Sequence, residues 1–108
     1  MEITKSNELK RMFGTSFHNA TFNASVDELT ALFGEENVGA SGDEKCKHEW
    51  FVKTDEDKYF SIYDWKEYRD YPSDEIINWH IGSKYSSNED NDFADAIKAK
   101  LADLRKAE

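Results

Sequence analysis

Of the 108 residues only one is cysteine and only one is proline. Cys46 has no partner for an internal disulfide, so a reducing cytoplasm is the simplest setting for the chain. Pro72 lies in a polar turn. With no linker composition, internal repeat or low-complexity block elsewhere, residues 1–108 read as a single domain. Long apolar runs are missing too. No window approaches the roughly 20 apolar residues of a membrane span, and Glu2, Lys5, Glu8, Lys10 and Arg11 interrupt any secretory leader. The sequons Asn19-Ala20-Thr21 and Asn23-Ala24-Ser25 then read as chance. Basic side chains are outnumbered, 14 Lys and Arg against 23 Asp and Glu, which leaves a formal net charge of −9. Such a surface repels phosphate backbones and anionic lipid, excluding direct duplex binding and membrane docking while admitting a basic protein partner.

What is present argues for a folded chain. Aromatic residues make up 14 %, including three tryptophans, a bulky content that disordered segments lack. At the N-terminus, Leu9, Met12 and Phe13 fall at helical spacing, so residues 1–15 form either a short helix over 5–13 or a loosely ordered arm. The Thr and Phe content of 17–23 favours a strand or extended segment. Ser25 and Glu28 form a capping box ahead of Val26, Leu29, Leu32 and Phe33, with Gly34 placed to stop a helix over 26–33.

Residues 35–45 are a loop, and 46–54 a strand whose better core face holds Cys46, His48, Trp50 and Val52. After a polar turn at 55–58, the strand 59–65 carries apolar residues on both faces and is expected to be central. Residues 67–75 form an acidic connection around Pro72. The strand 76–81 places Ile77, Trp79 and Ile81 on one face, with Gly82 ending it. A last helix opens over 86–92 with Ser87 as cap and Glu89, Asp90 and Asp92 near its positive end. Phe93, Ile97, Leu101 and Leu104 make its apolar stripe. The expectation is an α+β fold: an antiparallel meander of three or four strands with both helices on one face. If the other face is partly open, Tyr59, Tyr63, Trp65, Tyr68 and Tyr71 form a binding surface.

No stretch carries the signature of a known reaction. Gly39 to Lys45 has glycines and a lysine but not the spacing of a phosphate loop, and Asp43 and Glu44 would repel phosphate. Cys46 and His48 lie two positions apart on one strand, about 7 Å at the backbone, too far for a nucleophile and its base without a third residue. A metal would require Cys46, His48 and His80 to converge with an acid, which nothing in the spacing demands. Asp55-Glu56-Asp57 lacks the spaced ligands of a calcium loop. Asp64, Glu67, Asp70, Asp74 and Glu75 read as a solvated acidic face rather than a catalytic pair. His80 reads as a cross-sheet hydrogen-bonding residue. No cofactor, metal or catalytic residue is expected.

The run Ile62-Tyr63-Asp64-Trp65-Lys66-Glu67-Tyr68, followed by Asn78-Trp79-His80-Ile81-Gly82, resembles a pattern in small, mostly uncharacterised bacteriophage proteins. The helix Glu28 to Glu35 is similar to the one that accompanies it, and the likeness covers residues 24–83. It implies a viral accessory protein acting in the host bacterial cytoplasm, where anti-CRISPR and anti-restriction inhibitors are the nearest functional classes.

The expectation from these readings is a non-enzymatic inhibitor whose carboxylates fill a basic groove of a host defence or nucleic-acid-processing protein. Residues 43–75 hold eleven acids against six basic residues. The expected partner contacts are Asp55, Glu56, Asp57, Trp65, Glu67, Tyr68, Asp70, Tyr71, Asp74 and Glu75. The competing reading is a sponge for a nucleotide immune signal, with Tyr63 stacking on the base and Lys66, Arg69, His80 and Lys84 around it.

Overall fold

The computed structural model describes residues 2–6, 16–37, 48–64 and 71–107. They form a five-stranded antiparallel sheet and two helices, in the order β1 (Ile3–Lys5), β2 (Ser16–Ala24), α1 (Val26–Phe33), β3 (Glu49–Thr54), β4 (Tyr59–Asp64), β5 (Ile77–Ser83) and α2 (Ser87–Lys106). The fold is α+β, as the sequence pattern implies, with one strand more than the meander requires. The spatial order is β1-β3-β4-β5-β2. Strands β3, β4 and β5 are the expected meander, and β4, apolar on both faces, lies at its centre.

The extra strand is β1. Lys5, expected in a helix, pairs instead with Val52, alongside Ile3 with Thr54, and Ser6 N–H donates to Phe51 O at 2.7 Å. The backbone groups along the outer edge of β3 need partners, and a distant segment supplies them, a gain that local periodicity does not display. The rest of the expected 5–13 helix lies outside the described residues.

Apolar alternation fixes which side of the sheet is covered. Trp50 and Val52 of β3, Phe60 and Ile62 of β4, Ile77, Trp79 and Ile81 of β5, and Phe22 and Ala24 of β2 are buried in one cluster. Leu29 and Phe33 of α1 and Phe93, Ile97 and Leu101 of α2 join it. Phe60 and Phe93 stack with ring centroids 3.9 Å apart, and Trp50 meets Trp79 edge to face at 5.5 Å. Both indole N–H groups are satisfied inside this layer, Trp79 by Ala24 O and Trp50 by Gly34 O. Full burial of these large rings is the main source of stability for a chain this short.

The helix ends follow from local chemistry with one change. In α1 the capping box forms: Ser25 Oγ accepts from Glu28 N–H, and Glu28 Oε1 accepts from Ser25 N–H. Gly34 stops the helix at φ +84°, a left-handed backbone that suits glycine. For α2 the cap is Ser86, not Ser87: Ser86 has the extended backbone of a cap and its hydroxyl accepts from Glu89 N–H, whereas Ser87 is already the first helical residue. Gly82 does not end β5. It pairs with Phe17 and Ser61 inside the sheet, and β5 runs on to Ser83.

Candidate functional site

The antiparallel register sorts the expected contact residues to opposite ends of the sheet. Asp55, Glu56 and Asp57 lie in the β3–β4 turn, beside the start of β4 and the end of β5. Asp74 and Glu75 lie just before β5, beside the end of β4. Six strand residues separate the two ends, about 20 Å at roughly 3.3 Å per residue. Among the described residues, the expected acidic contacts therefore fall on two surfaces. Trp65, Lys66, Glu67, Tyr68, Arg69 and Asp70 lie outside the described residues, as does Cys46.

At the turn end the three acids are exposed. Thr54 holds the loop, its hydroxyl accepting from Glu56 and Lys58 amides, while Asp57 takes a left-handed φ of 60°. Lys58 Nζ donates to Glu89 Oε1 at 3.0 Å and lies 3.6 Å from Glu56, so the acids of the turn join the acidic first turn of α2. Its ammonium is held above the usual lysine range, chiefly by the Glu89 hydrogen bond. Lys84 is exposed at this same end, one residue past β5.

At the opposite end Tyr71 is a brace rather than an exposed contact. It is half-buried against the core, donates its hydroxyl to Asp64 Oδ2 at 2.8 Å, and meets the His48 ring edge-on. Asp64 is fully buried and also accepts from His48 N–H. His48 Nδ1 bonds to Glu36, which orients the ring within an open groove lined by Val26, Thr30, Glu35, Glu36, His48 and Trp50. Alongside, Arg105 reaches from the end of α2 to Glu28, Nε to Oε2 at 2.7 Å and Nη2 to Oε1 at 3.1 Å. That guanidinium holds the Glu28 carboxyl below its ordinary 4.5, outweighing the opposing effect of burial.

On the sheet face away from the helices, two residues of the nucleotide-binding reading do meet. Tyr63 and His80 are cross-strand partners, rings edge to face at 5.7 Å, and Phe17 stacks on His80 at 4.1 Å. Phe17 is 38 % exposed and the other two half-buried, whereas Phe51, Tyr59 and Ser61 on this face are buried. Burial pushes the His80 imidazole below its ordinary 6.5. Lys84 does not share this row's position along β5, falling at the turn end.

A further polar constellation has no signal in the sequence. Asp90, fully buried, accepts from Ser83 Oγ at 2.5 Å and from His18 Nδ1–H at 2.6 Å, while Ser83 Oγ accepts from Tyr85 N–H. Acids in the first turn of a helix are ordinary, and only the register of β2 against β5, interrupted by a bulge between Phe17 and Thr21, brings His18 over this one. Among the described residues, no group of three or more His, Cys, Asp or Glu is placed to hold a metal ion. No described helix is long and apolar enough to cross a membrane.

No protein-family model and no curated protein matches the chain.

Proposed function

We propose that the chain works by occupancy rather than by catalysis: an acidic binding protein that covers the basic, nucleic-acid-binding groove of a partner protein. The observation that carries this reading is the exposure of Asp55, Glu56, Asp57 and Asp74 on hydrogen-bonded turns beside the sheet. Carboxylates held on such turns meet lysine and arginine with little ordering cost on binding. The histidines support a structural role, since His18 and His48 are tied to carboxylates and His80 is stacked on Phe17 and met edge-on by Tyr63. The likeness to bacteriophage accessory proteins gives the setting: a phage protein in the bacterial cytoplasm that disables a host defence or nucleic-acid-processing protein, in the manner of anti-CRISPR or anti-restriction inhibitors.

The test is capture of partners from bacterial extract on the tagged chain, with and without a salt wash, followed by identification of proteins and small molecules. One basic protein, released by salt, is the expected result. The contact between Tyr63 and His80 favours a second reading, a sponge that stacks a nucleotide base on this aromatic row. A nucleotide retained in native mass spectrometry, with no protein captured, decides for that reading.

A further inference from the structure

The exposed side chain that stands out among the described residues is Ile76, 52 % exposed on the last step before β5. It lines an open groove of about 270 Å³ together with Ala31 of α1 and Leu104 of α2, and its polar walls are Ser25, Asp27, Glu28 and Asp74. Ser25 is used as the helix cap and Glu28 by that cap and by Arg105. Asp27 and Asp74 are both exposed, and no described residue pairs with either carboxylate. The groove thus has an apolar floor of three aliphatic side chains beneath two carboxylates that no described residue holds.

That combination selects its occupant. A wholly apolar side chain would leave two carboxylates partly desolvated against it, and a small cation would leave Ile76 and Leu104 in water. Lysine and arginine carry both parts, a three- or four-carbon stem and a cationic head. The chain's own Arg105 lies next to the groove and shows the recognition at hand, its guanidinium forked on Glu28 and donating also to Asn23 O. We propose that this groove takes an arginine or lysine side chain from a basic segment of the partner protein, stem on Ile76 and Leu104, head between Asp27 and Asp74. This rests on the occupancy reading above and gives it a first contact point.

The probe is N-acetyl-arginine N-methylamide, titrated at millimolar concentration into the full ¹⁵N-labelled chain and followed by amide shifts. Guanidinium chloride and N-acetyl-leucine N-methylamide serve as charge-only and stem-only controls. Saturable shifts are expected at residues 27–31, 73–76 and 104, with binding weaker for both controls. The pair Asp27→Asn and Asp74→Asn should weaken binding about fivefold or more, and Ile76→Ser by about threefold, with amide dispersion confirming that each variant is folded. Shifts confined to 55–57, the absence of saturable shifts, or an unchanged titration of the double variant would overturn the groove. If salt-sensitive capture of a basic protein survives Asp27→Asn and Asp74→Asn, the groove proposal fails while the occupancy reading stands.

Discussion

Replacing Asp90 with alanine should cost about 3–5 kcal/mol of folding stability. The carboxylate accepts two hydrogen bonds in a site with no exposure, from Ser83 Oγ and His18 Nδ1–H. A hydrogen bond to a charged group contributes about 1.5–3 kcal/mol, and a buried donor left without its acceptor costs about 1–3 kcal/mol. The His18 side chain is 30 % exposed and can turn to water, so its share belongs at the low end. Ser83 is fully buried and has no such escape. Asp90→Asn keeps an acceptor for Ser83 and should cost about 1–2 kcal/mol. The double variant Asp90→Ala with Ser83→Ala should be less destabilised than the sum of the single ones, because the orphaned hydroxyl is gone. Urea unfolding read by tryptophan fluorescence measures all three, since Trp50 and Trp79 are fully buried and become hydrated on unfolding. With total stability of about 5–15 kcal/mol for a domain, Asp90→Ala should shift the midpoint far. A loss below about 1 kcal/mol would refute the network as a clamp between β2, β5 and α2.

The remaining predictions concern pH and capping. His80 is held below its ordinary 6.5, so the folded chain resists a proton that the unfolded chain accepts, and stability should fall as pH drops below about 6.5. His80→Phe, which keeps a ring against Phe17, should lose less stability than the parent between pH 7.5 and 5.5 in urea midpoints; equal losses would contradict the assignment. Glu28 behaves in the opposite range: its lowered pKa stabilises the fold above about 4.5, and that contribution is lost as pH falls through the lowered value. Arg105→Gln should therefore raise the Glu28 pKa in a carboxyl ¹³C titration and move acid unfolding to higher pH. Ser25→Ala removes the acceptor of the α1 capping box and should cost about 1 kcal/mol, read by the same urea assay.

The parts of the fold governed by nearest neighbours were legible in the sequence. Apolar residues on both faces of 59–65 implied a central strand, the Ser25 and Glu28 pair implied α1, and Trp50, Val52, Trp79 and Ile81 took the core face that spacing assigned them. What was illegible depended on register between distant segments. Nothing around Ile3 announces a strand until the free edge of β3 is in view, and Gly82 looks like a terminator until Phe17 and Ser61 flank it. The contact surface shows the same division. Residue types put carboxylates and tyrosines in the loops, but only strand direction decides that Asp55–Asp57 and Asp74 face opposite ends. Likewise the hydroxyl of Tyr71 belongs to buried Asp64, a pairing that its place in an acidic, tyrosine-bearing loop did not display. Asp90 looked like a helix-dipole acid, Ser83 lay past the expected strand end and His18 lay in an extended segment, and they become one cluster only through the register of β2 against β5.

The most direct test of the occupancy account is a charge-neutralisation series measured against the captured partner. The parent chain, the turn variant with Asp55→Asn, Glu56→Gln and Asp57→Asn, and the Asp27→Asn, Asp74→Asn variant are each titrated at about 50 and 200 mM salt. The account predicts that affinity falls as salt rises, that each neutralised surface weakens binding, and that the salt dependence flattens as carboxylates are removed. Affinity unchanged by salt and by both sets of substitutions would contradict it.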